Sequence, residues 1–370
     1  MEYLYGKLKT LEREDSPLKE AERLRAASGP LLYWYDRNRR ILPWREEPEA
    51  YRVWISEIML QQTRVEAVKP YFARFMEALP DIKSLAQVEE QTLLKLWEGL
   101  GYYNRARNLK KAAQVIVEEY GAVMPDSYEK LIKLPGIGSY TAGAIASIAF
   151  GIPEPAVDGN VLRVLSRLLA DREDIGKAGT KKRFEDLIRE NMDRERAGDY
   201  NQALIELGAI VCLPAGKPLC TECPLHSICL ARREGLTEII PVKAPKKPRR
   251  IEDKTVFLLE WEGRAAIRKR SSKGLLASLY EFPNIPGHAE AGELKEQLKD
   301  GLGLPAEEIL SVEKLPDSVH VFSHVEWHMT GYRVKIAKEH PELFKMVKKE
   351  EIFSKYPLPN AFGVYTKALM

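Results

Sequence analysis

Apolar residues recur at helical spacing in Tyr51 to Leu60, Gln91 to Trp97, Arg107 to Glu119 and Phe184 to Met192. Short Gly/Pro breaks separate these segments, so the first 230 residues predict a mainly helical region. Tyr128 to Leu134 and Ser139 to Phe150 form a further helical pair, and Val161 to Leu169 another segment. The texture then changes. From Pro241 to Lys254, three prolines interleave with lysines and arginines and no apolar period runs through, which predicts an exposed linker, either a plain spacer or one that also touches a polyanion. Beyond it, Val256 to Trp261 is a β-branched and aromatic run. Glu262 and Gly263 supply a turn, Ala265 to Arg270 the returning strand, and Val319 to Val334 alternates like another strand. Helical character returns near Glu293 to Leu298. The pattern predicts a helical domain over 15–232, a linker over 233–254 and an α/β or α+β domain over 255–370, with no internal repeat.

No stretch approaches 18 uninterrupted apolar residues, so no membrane span is expected. The segment Met1 to Arg25 is heavily charged and has no signal-peptide core. A cytoplasmic protein is expected, associated with the nucleoid if prokaryotic. The net charge of +3 neither demands nor excludes a nucleic-acid partner.

All four cysteines, Cys212, Cys220, Cys223 and Cys229, fall in one short stretch spaced C-x7-C-x2-C-x5-C. That clustering fits a metal knot in a reducing compartment better than a disulfide framework. One C-x2-C between two single cysteines suits a compact iron–sulfur cube, with zinc or free thiols as alternatives. His226 reads as a surface residue, because four thiolates complete a ligand set.

Leu134-Pro135-Gly136-Ile137-Gly138 joins two helical patterns. Its glycines open the backbone at a helix N-terminus, which suits a phosphate. This is the make-up of a helix-hairpin-helix; an ordinary helical corner is the alternative. Glu57 interrupts an apolar helix. It is either a desolvated carboxyl with a raised pKa, ready to act as a general acid, or a residue at the edge of the face reaching water. Asp158, in Val157-Asp158-Gly159-Asn160, stands where a helix N-cap belongs, and backbone N–H groups there would keep it ionised. A neutral and an ionised carboxyl together are the pair used to cleave glycosidic bonds.

With these features the chain resembles the helix-hairpin-helix-GPD superfamily of base-excision DNA glycosylases. Within it, Leu42-Pro43-Trp44-Arg45, Ser56 to Thr63, Gly99-Leu100-Gly101-Tyr102-Tyr103, Gly136 to Thr141 and His320-Val321-Phe322-Ser323-His324 resemble the MutY family of adenine DNA glycosylases. The match runs over roughly residues 30 to 330. The resemblance implies a multidomain protein: a mainly α helix-hairpin-helix glycosylase with one [4Fe–4S] cluster, followed by an α+β Nudix-like, MutT-related domain. It implies a monomer acting on double-stranded DNA with A:8-oxoguanine or A:G mispairs, extruding the adenine and hydrolysing its N-glycosidic bond. Glu57 would protonate adenine N7, Asp158 would stabilise the sugar cation and Tyr140 would hydrogen-bond among the carboxylates. Trp44, Arg45, Leu60 and Gln202 would shape the adenine pocket. Gln62 and Tyr102 would enter the duplex, and Thr63, Leu100, Gly136, Gly138 and Asn160 would contact DNA. Phe322, Ser323 and His324 would recognise 8-oxoguanine, since the glutamate run a Nudix hydrolase needs for magnesium is missing after Pro283.

One departure from the family pattern, one contrast with the lyase branch and two rival readings accompany the resemblance. The first cysteine gap has seven residues where the family usually has six, so a bulge is expected among Leu213 to Leu219, in the loop that carries Lys217. Position 140 holds tyrosine where the lyase branch has its Schiff-base lysine, which implies a glycosylase that leaves the abasic site uncut or cuts it only weakly. Thymine or uracil mismatch glycosylases share the Tyr and Asp pattern, and a non-catalytic iron–sulfur DNA sensor would need neither Glu57 nor Asp158.

Overall fold

The computed structural model describes residues 18–245 and 248–369. The expected start of the helical domain at residue 15, two linker lysines and the last residue lie outside the described residues. The helices are α1 (Glu20–Asn38), α2 (Pro43–Glu46), α3 (Ala50–Leu60), α4 (Val65–Ala78), α5 (Ile82–Gln87), α6 (Glu90–Leu96), α7 (Asn104–Tyr120), α8 (Tyr128–Leu131), α9 (Ser139–Phe150), α10 (Gly159–Leu169), α11 (Ala178–Asn191), α12 (Ala197–Ile210) and α13 (Leu230–Arg233). Strands β1 (Arg250–Trp261), β2 (Arg264–Lys269), β3 (Tyr280–Glu281) and β4 (Asn284–Pro286) follow. Then come α14 (Leu294–Leu302), β5 (Ile309–Val321), β6 (Val325–Ile336), β7 (Lys345–Lys348), α15 (Lys349–Lys355) and α16 (Gly363–Ala368). No described helix is long and apolar enough to cross a membrane.

The described residues form two compact units, one of 18–76 with 112–245 and one of 77–111 with 248–369. The sequence pattern predicted contiguous regions, but residues 77–111 group with the C-terminal part. The physical reason is hydrogen bonding that chain order conceals. Gln91 Nε2 donates to Lys355 O at 3.0 Å, Lys95 Nζ to Tyr356 O at 3.2 Å, and Leu358 N to Glu98 Oε1 at 2.7 Å. A second difference concerns the expected linker. Its last residues, 250–254, are already strand β1, exposed or half-buried and paired in parallel with 325–329 of β6.

In the first unit, α1, α10, α11 and α12 bury one apolar core that includes Leu31, Tyr35, Leu165, Phe184, Tyr200 and Leu204. The cysteines Cys212, Cys223 and Cys229 pack against this core. α9 is built for close approach. Gly143 has no room for a side chain, because a Cβ there would stand 2.0 Å from the carbonyl oxygen of Pro155.

In the second unit a seven-stranded mixed sheet runs β3-β2-β1-β6-β5, with β4 on β1 and β7 on β2. The β1–β6 pair is parallel, and β1 pairs antiparallel with β2 and β4. Both faces are covered. Val256 and Leu258 enter one core with Trp327, Phe362 and Tyr365, while Phe257 and Leu259 enter the other with Leu298, Tyr332 and Val334. The two-residue side-chain period of a strand explains why a continuous apolar run marks it. Gly331 lies under the ring of Tyr365, whose Cε1 would stand 2.1 Å from an added Cβ. Gly331→Ala is therefore expected to destabilise the sheet unit by about 1–3 kcal/mol, seen as a lower Tm in calorimetry; an unchanged Tm would contradict this packing.

Candidate active site and metal centre

α3 is apolar on almost every face, and Tyr51, Val53 to Ile55, Ile58 and Met59 are all buried. Glu57 shares that environment at 8 % exposure, so the reading of an edge residue reaching water does not hold. Tyr140, in the first turn of α9, donates its hydroxyl to Glu57 Oε2 at 2.5 Å. Burial pushes the Glu57 carboxyl up to about 7; the Tyr140 hydrogen bond and Arg45 oppose the rise, and Asp158 adds to it.

Asp158 caps α10. Its Oδ1 accepts from the backbone N–H groups of Asn160 and Val161, each at 2.8 Å, and its Oδ2 accepts from Asn160 Nδ2 at 2.7 Å. The expected cap is present, but burial, which the sequence does not announce, works against the ionised form. Burial raises the Asp158 carboxyl, and these hydrogen bonds with Arg163 pull against that rise without cancelling it. The two carboxyls still differ in their partners, since Glu57 accepts one hydroxyl and Asp158 three N–H groups.

The segment leading to Asp158 is fixed from both sides. Asn201 of α12 accepts from Ala156 N at 3.0 Å and donates to Glu154 O and Ser147 Oγ, both at 2.8 Å. Arg163 extends the support: Nη2 donates to Asn160 Oδ1 at 2.8 Å and Gly208 O at 2.7 Å, and Nε to Cys212 O at 2.7 Å. Asn160, expected to contact DNA, lines the cleft and also orients Asp158.

Glu57, Tyr140, Asp158 and Asn160 line one cleft of about 580 Å³. It brings together Glu57, Tyr140 and Asp158 with Trp44, Arg45, Leu60, Gln202, Gln62, Thr63 and Asn160. Trp44 is mostly core, 5 % exposed and edge-on to Phe72 at 5.3 Å, yet it forms part of the wall. Gln202 is half-buried on the wall rather than turned to solvent. Gln62 is exposed with φ 59°, the left-handed region that non-glycine residues rarely adopt.

Sequence reasoning missed two charged lining residues, Arg40 and Lys181, and, behind the wall, Glu206. Glu206 Oε1 accepts from Arg40 Nε at 2.7 Å, and Oε2 from Arg45 Nη2 at 2.9 Å. Its signal was the one that singled out Glu57, a carboxylate inside an apolar helix. Lys181 Nζ donates to Ser139 Oγ at 3.1 Å and pairs with Glu185.

In the hairpin, Leu134 and Ile137 are buried while Gly136 and Gly138 are exposed. Gly136 has φ 77°, and Gly138 caps α9. α8 stops at Leu131, shorter than the pattern predicted.

In the second unit, Leu100 is buried at 6 %, so its side chain belongs to packing rather than to an exposed surface. Tyr102 is 47 % exposed with φ 47°, and its hydroxyl lies 2.8 Å from Ser323 Oγ in a hydrogen bond. Arg105 holds the same loop, donating to Leu100 O at 3.0 Å and Gly101 O at 3.2 Å. Phe322, Ser323 and His324 form the turn between β5 and β6, where Phe322 packs edge-on against His320 and Trp327.

The four thiols are free and line one cavity with Arg167, Arg232 and His226. Among the described residues no group of three or more acidic, histidine or cysteine side chains is set to hold a single metal ion. Burial pushes Cys223 up to about 12 and raises Cys220 and Cys229, with charge repulsion among the thiolates adding to each. A cationic centre among them removes that penalty, because a coordinating thiol is deprotonated outright. Arg167 Nη1 lies 3.2 Å from Cys212 Sγ, a donor suited to thiolate charge. The donor set therefore fits a thiolate-ligated group. The loop of the long cysteine gap is closed by Leu219 N to Val211 O at 2.9 Å, and Lys217 on it is exposed.

Residues 55–190 match the HhH-GPD superfamily of base excision DNA repair proteins, and 255–368 match the NUDIX domain. The human adenine DNA glycosylase is 35 % identical, over 87 % of this chain and 69 % of its own length. That of Buchnera aphidicola subsp. Acyrthosiphon pisum is 34 % identical, over 83 % of this chain and 85 % of its own. A thermostable thymine-DNA glycosylase superposes with TM-score 0.51 at 26 % identity, over 57 % of this chain and 97 % of its own. An endonuclease III trapped on DNA shares the fold, with TM-score 0.51 at 24 % identity, over 59 % of this chain and 99 % of its own. Unlike the thymine-DNA glycosylase, the adenine-specific relatives span both parts of the chain, and the chain belongs to the MutY family of adenine DNA glycosylases, hydrolases that act on N-glycosyl bonds.

Proposed function

We propose that this glycosylase removes adenine opposite 8-oxoguanine or guanine in duplex DNA, with Glu57 as the acid and Asp158 as the anion that stabilises the sugar cation. The observation that carries the reading is a buried carboxyl, hydrogen-bonded to Tyr140 in a cleft that also holds Asp158; burial raises that carboxyl to about 7, which suits an acid. Base extrusion costs a few kcal/mol of unstacking, which Gln62 and Tyr102 would offset by entering the duplex. Tyr140 engages Glu57 Oε2, leaving the proton on Oε1 to pass to adenine N7. The C1′–N9 bond then breaks with its electrons moving to the base. Asp158 faces the developing oxocarbenium charge, water adds at C1′, and its proton returns to Glu57. A tyrosine at position 140 supplies no amine for a Schiff base, so the product is an uncut abasic site. Leu60, Trp44, Arg45 and Gln202 would select the purine.

The turn at Phe322, Ser323 and His324 would read the opposite guanine, with Ser323 anchored to Tyr102. Cys212, Cys220, Cys223 and Cys229 would hold one [4Fe–4S] cluster, whose role is to tie the loop after α12 to the core. A monomer acting on double-stranded DNA in the cytoplasm or nucleoid follows from this reading.

Glu57→Gln is expected to slow single-turnover base release by about 10²–10⁴-fold while duplex binding persists; equal loss of both would mean a structural role. An acid must carry its proton, so base release should fall as pH rises through about 7. At low pH it should fall again as Asp158 protonates, and a flat profile would contradict both assignments. On duplexes with A:8-oxoguanine, A:G, T:G and U:G, alkali-revealed breaks are expected at adenine alone; breaks only at thymine or uracil would favour the mismatch-glycosylase reading. Ser323→Ala should lower the preference for 8-oxoguanine over guanine about 2–10-fold, the worth of one hydrogen bond, with turnover on A:G little changed. The protein purified without oxygen should be brown and contain iron and acid-labile sulfide; a colourless, zinc-containing preparation would reject the cluster.

A further inference from the structure

Behind the wall of the cleft lies a carboxylate that the chemistry above does not use. Glu206, on α12, is completely buried, where an unpaired charge would be untenable. Two cations meet it. Arg40 donates through its backbone N–H to Oε1 at 3.0 Å, through Nε to Oε1 at 2.7 Å and through Nη2 to Oε2 at 2.9 Å. Arg45 donates through Nη2 to Oε2 at 2.9 Å and through Nη1 to the Arg40 carbonyl at 3.1 Å. Burial works against the Glu206 anion, yet the two guanidinium groups hold its carboxyl down at about 2. α2, which carries Arg45, is only four residues long. These contacts tie it to α12, and the geometry of Arg45 depends on them.

Arg40 and Arg45 line the same cleft as Glu57, and the field of Arg45 favours the Glu57 anion. We propose that Glu206 is a positioning residue for base release: it fixes Arg40 and Arg45 on the cleft wall and offsets their charge, so that Glu57 keeps its proton at neutral pH. The proposal rests on Glu57 being the acid. The groups that act on Glu57 are Tyr140 on α9, Asp158 at the cap of α10 and Arg45 on α2, with Arg40 and Lys181 also in the lining. Around Glu206 stand Arg40, Arg45 and Tyr35 of α1, and Glu66 of α4 acts on Arg40.

Glu206→Gln keeps the shape and removes the charge. Arg45 then acts on Glu57 uncompensated, and the alkaline limb of single-turnover base release should move about one pH unit lower, in the range for a nearby opposite charge. Arg45→Met removes the cation and should move the limb higher, whatever its effect on the rate, and this variant leaves Glu206 paired with Arg40. Glu206→Asp keeps the charge and should keep the limb in place while the rate falls. A purely structural role would lower the rate and leave the limb where it is. The proposal is overturned if the limb stays fixed in Arg45→Met, or in a folded Glu206→Gln, while Glu57→Gln abolishes base release. Base release surviving in Glu57→Gln would instead remove the acid assignment on which the proposal stands.

Discussion

The chemistry depends on one constraint: a glutamate on the wall of the cleft is almost wholly withdrawn from solvent, at 8 % exposure. α3 is apolar nearly all round, α9 lays Tyr140 against Glu57, and the carboxyl there retains its proton up to about neutral pH. Three features of the first unit put a second carboxyl in the same cleft with different partners. Gly143 lets the segment before Asp158 approach α9, Asn201 fastens that segment, and the N-terminus of α10 receives Asp158. Packing therefore determines acid strength here, through burial first and hydrogen bonds second.

The supports of the cleft reach beyond it. Arg163 bonds to Asn160 on one side and to the carbonyl of Cys212 on the other, so the cap of α10 and the cysteine loop share one guanidinium. Arg167, one turn further along, donates to Cys212 Sγ and to the carbonyls of Leu213 and Ile240. Two buried arginines on one helix thus serve the loop that carries the thiols. The second unit follows another logic, in which a sheet covered on both faces presents an exposed turn at Phe322 to His324.

Much of this was legible in the sequence, for physical reasons. The cysteine spacing, the paired glycines of the hairpin and a carboxylate inside an apolar helix are local signals, and each marks a real feature. The alternation of β1 between two cores was visible as an unbroken apolar run. What stayed hidden depends on contacts between distant residues. Glu206 meets partners more than 160 positions away, so nothing near it announces an ion triad. Residues 77–111 group with the sheet unit through hydrogen bonds to 355–358 that no periodicity encodes. The cap of Asp158 was legible because its partners are adjacent in sequence, whereas the burial that raises its pKa comes from packing that no neighbouring residue announces.

The central claim is that Glu57 in the folded protein still carries its proton in a large fraction of molecules near neutral pH. Infrared difference spectroscopy on protein carrying isotopically labelled glutamate reads this without catalysis. The account predicts a protonated-carboxyl band that titrates with a midpoint at about 7 and vanishes in Glu57→Gln. A spectrum in which that band is already lost in the ordinary glutamate range, about 4, would show Glu57 ionised at neutral pH and contradict it.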